Sequence, residues 1–106
     1  MEKLEMTLLV KPPKRLEFKQ TLFELNEKLQ KRCTSLKITE SDNPLSYAIL
    51  AQWKTAVNLQ EALRTEEFEI LSGAITALCE KIEIQLNDKL VGNHLSRLTK
   101  LKKINS

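Results

Sequence analysis

Glycine is scarce in this 106-residue chain: there are two, and no Gly-rich loop able to cradle a phosphate or dinucleotide is encoded. Histidine is scarcer still. The single His94 and the two separated cysteines, Cys33 and Cys79, cannot supply a spaced metal-ligand set, and without a Cys-x-x-Cys there is no local zinc knuckle or redox pair. Both cysteines read as reduced, packed thiols, and no metal and no cofactor is expected. No apolar run approaches the roughly 18 residues of a membrane span, so no membrane span is expected. The opening Met-Glu-Lys-Leu-Glu lacks the charged-then-apolar order of a secretory signal, and the expected location is cytoplasmic. Acidic residues are absent from 89–106, which hold five Lys and Arg, whereas residues 1–88 carry 12 Lys and Arg against 14 acids. A near-neutral body with a basic tail argues against a nucleic-acid partner, whose contact surface would be a basic folded face.

What remains is ordinary globular material, 42% hydrophobic and 29% charged, enough for one domain with its own core. Residues 4–10 partly alternate, with Leu4, Met6, Leu8 and Val10 on one face of a strand. Pro12 and Pro13 interrupt it, and a helix is predicted from near Lys14 to Lys31 on the stripe Phe18, Leu22, Leu25 and Leu29, broadened by Leu16 and Phe23. Residues 33–40 read as a second strand. Ser-Asp-Asn-Pro at 41–44 is turn chemistry, and residues 46–53 read as a third strand carrying Tyr47, Ile49, Ala51 and Trp53 on one side.

The pattern then returns to helix in two parts, one capped by Asn58 with Glu61 and one by Thr65 ahead of Glu66-Glu67. Phe68, Leu71, Ile75 and Leu78 form the inward stripe, with Gly73 permitting a close approach beneath it. Residues 80–86 alternate strictly and form the fourth strand. The order predicts a ferredoxin-like α+β βαββαβ domain over 1–88, an antiparallel sheet with two helices on one face. The other face, showing Thr7, Leu9, Lys37, Leu50 and Gln85, suits a homodimer. Residues 89–106 read as a basic amphipathic tail or helix through Val91, Leu95, Leu98 and Leu101.

Gln52-Trp53-Lys54-Thr55, Leu59, the run Glu61 to Phe68, and Leu71-Ser72-Gly73-Ala74-Ile75 resemble the strand Trp and Leu-x-x-His-Leu-x-Ser-x-x-Phe of antibiotic biosynthesis monooxygenase-like (ABM) proteins of the quinol monooxygenase type. The resemblance covers residues 4–88. Lys11 to Phe18 is similar to that family's first strand-to-helix junction, and Arg32-Cys33 stands where its members have Gly-Cys. It implies a dimeric α/β barrel and an oxidoreductase that inserts oxygen into a quinol or phenolic small molecule without metal or flavin. The family's motif histidine falls on Ala62. The Asn, Trp and His of the haem-degrading branch would fall near Glu5, Ala62 and Ser72, so haem degradation is not implied.

Cofactor-independent oxygenation needs a base, an electron-rich substrate anion and a dry aromatic cavity. Trp53, Tyr47, Phe68 and Phe23 are the pocket candidates. Each also has a packing reading: Trp53 anchoring the second helix on the sheet, Phe23 and Phe68 on core stripes, and Tyr47 reaching solvent with its hydroxyl. No catalytic residue emerges. Three functions stand: a cofactor-independent monooxygenase, a non-catalytic small-molecule-binding protein that lacks the histidine, and a structural dimeric module working through its basic tail.

Overall fold

Alternation over the first strand does what its pattern requires. In the structure, a computed structural model that describes residues 1–92, Leu4, Met6, Leu8 and Val10 of β1 (Glu2–Val10) are all buried. Pro12 to Lys14 make a single 3-10 turn, where a missing N–H costs nothing, and it leads into α1 (Arg15–Gln30). Then follow β2 (Ser35–Glu40), β3 (Ser46–Trp53), α2 (Ala56–Leu63), α3 (Glu66–Leu78), β4 (Cys79–Leu86) and β5 (Lys89–Gly92). The sheet is antiparallel in the order β2-β3-β1-β4-β5, with β1 central: Met6 lies opposite Ile49 on one side and Ile84 on the other. This is the ferredoxin-like α+β arrangement, with one strand added at the edge.

The sequence expectations need correction at five places. Residues 89–92 do not begin a helix. Asn87 and Asp88 both take positive φ, 51° and 69°, which is the geometry of a two-residue primed turn, and they fold β5 back onto β4. The rest of the expected tail, 93–106, lies outside the described residues. The first cap of the two-part helix is Thr55, whose hydroxyl accepts the Asn58 N–H at 3.1 Å, so Asn58 sits inside α2. Leu16 and Phe23 leave the α1 stripe for solvent, 70% and 83% exposed. Seven residues apart, they share a flank some 140–160° from Phe18 at 100° per residue, so neither can face the sheet. Gly73 lies under no close neighbour, for a Cβ built there meets nothing within 4 Å. Tyr47 is 4% exposed and does not reach solvent.

Between Leu9 and Val10 the β1–β4 register slips, so that Val10 lies opposite Cys79 and Leu9 opposite Lys81. Glu80 is the extra residue of a bulge, which turns Cys79 inward and leaves the carboxylate in water. The core lies between the sheet and α1, α2 and α3, and includes Trp53, Phe18, Leu29, Leu71 and Ile75. The opposite sheet face carries Leu9, Leu50 and Leu90 among Thr7, Lys37, Glu83 and Gln85, with no helix over it among the described residues.

Candidate functional site

Two openings flank the helical layer. The first lies where the end of α1 meets α2. Here Trp53, at the end of β3, is 1% exposed and donates its indole N–H to the Arg32 carbonyl at 2.7 Å. Its ring meets Phe68 of α3 at 5.9 Å between centroids, tilted by 51°. Thr65 fixes the α2–α3 junction by donating its hydroxyl to the Ala62 carbonyl at 2.7 Å and accepting the Phe68 N–H at 3.5 Å. An opening of about 270 Å³ over Trp53 is bordered by Arg32, Cys33, Asn58, Glu61, Ala62 and Thr65. Burial pushes the Cys33 thiol up to about 11, so it is a protonated wall group and a poor nucleophile at neutral pH. Arg32 brings a guanidinium to the rim, held by Glu67 of α3 at 3.3 Å.

The second opening is a groove of about 450 Å³ between α1 and β2, walled by Leu22, Phe23, Leu36, Ile38 and Tyr47 with Lys19 and Glu40 at one end. Tyr47 packs edge-on to Phe18, with ring centroids 5.3 Å apart. Its hydroxyl is buried and finds no hydrogen-bond partner among the described residues. An unmet buried hydroxyl costs on the order of 1–3 kcal/mol. Burial raises the Tyr47 pKa, Glu40 raises it further and Arg15 opposes them, so the phenol is a neutral donor at neutral pH.

The four aromatic candidates therefore do not line one cavity. Trp53 floors the first opening with Phe68 packed behind it, whereas Tyr47 and Phe23 belong to the groove. Arg32, Asn58 and Glu61 at the first opening, and Lys19 and Glu40 at the second, were not site candidates in the sequence, where Asn58 with Glu61 reads as a helix cap and Arg32 as the neighbour of Cys33. For Lys19 there was a signal in position, since Lys19, Leu22, Phe23 and Asn26 recur at three- and four-residue steps along one flank of α1. A third concavity, of about 970 Å³, lies on the uncovered sheet face around Thr7, Leu9, Lys81, Glu83 and Leu90. Among the described residues no group of three or more His, Cys, Asp and Glu is placed to hold a metal ion, and no helix is long and apolar enough to cross a membrane.

No protein-family model matches the chain, and no curated protein matches it either. Solved structures do. An antibiotic biosynthesis monooxygenase superimposes with a TM-score of 0.75 at 22% identity, covering 83% of this chain and 97% of that one. A conserved protein from Methanosarcina mazei Go1 gives a TM-score of 0.73 at 24% identity, with 83% and 91% covered. A Caulobacter crescentus CB15 protein proposed as an antibiotic biosynthesis monooxygenase gives 0.71 at 22%, with 82% and 87% covered. At these identities the likeness is one of architecture, and it runs through nearly the whole of each neighbour: the chain shares the α+β ferredoxin-like fold of these solved structures, antibiotic biosynthesis monooxygenase among them.

Proposed function

We propose that this ABM-like domain works as a homodimer that takes a small quinol or phenolic molecule at the opening over Trp53 and oxygenates it without a cofactor. The observation that carries the reading is local: Trp53, Ala62 and Thr65, three positions of the family-like motif, border one opening next to a guanidinium. The chemistry follows from that placement. Loss of the phenolic proton makes an electron-rich anion, which Arg32 is positioned to stabilise, and Glu61 is the carboxylate at hand to receive the proton. Dioxygen then supplies one oxygen atom to the ring and leaves as water with the other, so a quinol becomes a hydroxyquinone. Oxygen-electrode assays over a panel of dihydroxyaromatics test this, with labelled dioxygen appearing in the product. Absence of oxygen uptake across the panel by freshly purified protein overturns the catalytic reading.

The second reading is a binder without turnover. It is favoured by Ala62, which puts a methyl group where the family motif has a histidine. Native mass spectrometry of protein purified from cells then shows a retained small molecule together with no oxygen uptake. Protein that arrives empty counts against it.

A further inference from the structure

The groove between α1 and β2 shares no residue with the opening over Trp53, and its chemistry is different. Most of its polar groups already have partners. Lys19 and Glu40 pair with one another at 3.5 Å. Gln30 donates to the Leu36 carbonyl at 3.1 Å and to Asn26 Oδ1 at 3.4 Å. Lys37 is exposed, and the strand register starts its side chain from the opposite face of β2, so it brings a cation only to the rim. The Tyr47 hydroxyl is left over: more than nine-tenths of that side chain is buried, it forms part of the groove wall, and the oxygen has no partner among the described residues. Buried hydroxyls are nearly always satisfied, so an unmet one beside a groove marks the place of a missing partner. The phenol stays protonated and has a proton to donate, and an acceptor is the partner that uses it.

The walls say what carries the acceptor. Leu22, Leu36 and Ile38 are apolar, and Phe23 stands 83% exposed on α1, a large ring that the fold itself does not use. The Glu40 carboxylate acts on Tyr47, which disfavours an anion at the hydroxyl, and its pairing with Lys19 cancels the charge at that end. The volume lies within the range of small-molecule sites. The geometry points to a second binding site in this groove, for an uncharged apolar molecule bearing a carbonyl oxygen, with Tyr47 as hydrogen-bond donor and Phe23 as the closing wall.

The probe is 6-propionyl-2-(dimethylamino)naphthalene, a neutral fluorescent ketone whose emission responds to polarity and to hydrogen bonding at its carbonyl. Titrated into the full-length protein, it is expected to bind saturably with blue-shifted emission. Tyr47→Phe keeps the ring against Phe18 and removes only the donor, and is expected to weaken binding about five- to tenfold, the worth of one hydrogen bond, at unchanged melting temperature or above. Phe23→Ala is expected to weaken it as well without loss of stability, since the ring is exposed. The analogue lacking the carbonyl, 2-(dimethylamino)naphthalene, should not distinguish the wild type from Tyr47→Phe. Equal affinity of wild type and Tyr47→Phe for the ketone, no saturable binding, or equally tight binding of 2-naphthoate would each overturn the proposal. None of these outcomes bears on oxygen uptake at the other opening.

Discussion

At the scale of single residues, Trp53 and Tyr47 stand three repeats of the pleat apart on the same strand face and have opposite circumstances. The indole N–H is spent on the Arg32 carbonyl, so Trp53 ties the end of β3 to the segment after α1. Replacing it by Phe keeps an aromatic ring against Phe68 but strands that carbonyl, and Trp53→Phe is expected to cost about 1–3 kcal/mol in urea-denaturation experiments. Alternation in the sequence was enough to place both side chains on the helix side of the sheet. It was silent on the atoms at their tips, because partners come from chain positions brought together only by folding. Phe23 shows the same limit on a helix: apolar character suggested the core, but angular distance from Phe18 sends the ring to the flank.

Among the elements, α3 is the one whose sequence carries avoidable weakness. Gly73 lies exposed in its middle with open space around the missing Cβ, so Gly73→Ala is expected to stabilise by about 0.5–1 kcal/mol, seen as a higher melting temperature. The start of α3 is better made. The Glu67 carboxyl is held below its ordinary 4.5 first by its own backbone N–H in the opening turn, with Arg32 and the Thr65 side chain adding and desolvation opposing. A carboxyl with a depressed folded pKa stabilises above its unfolded value, and the benefit is lost as pH falls through the folded one. The melting temperature of Glu67→Gln is therefore expected to lie below the wild type near neutrality and to converge with it in acid. A difference that persists unchanged at low pH would refute this.

Thr65 as a cap and the split of the second helix were legible, because a hydroxyl before two acids is a local signal. The β4–β5 hairpin was not. Asn87-Asp88 is a weaker turn signal than Asn-Gly, and the basic spacing that follows it favoured a helical reading of residues that pair as a strand. Glu80 is a similar case: strict alternation over 80–86 is real, but the bulge that sets its phase against Val10 depends on the partner strand.

For the molecule as a whole, the fold was readable from the order of periods alone, with six segments switching between periods of two and 3.6. The proposed dimer belongs to this scale. The uncovered face mixes Leu9, Leu50 and Leu90 with polar residues, and Leu50 sits near its middle, opposite Glu5 on β1 and Lys37 on β2. Placing Leu50→Glu beside Glu5 adds like charges across the strands and a charge on an apolar contact. Light scattering after size exclusion is expected to show a dimer for the wild type and a monomer for this variant. A wild-type monomer at high concentration would remove the dimer from the proposed function.

The Gln30 amide, whose contact with the Leu36 carbonyl was described as part of the groove, has a bearing on solubility. β2 forms one margin of the sheet, where unpaired main-chain groups invite an unwanted strand from another molecule. With its carbonyl already engaged by Gln30, Leu36 is a poorer starting point for an intruding ladder, and the Gln30 side chain stands in the way at that point of the margin.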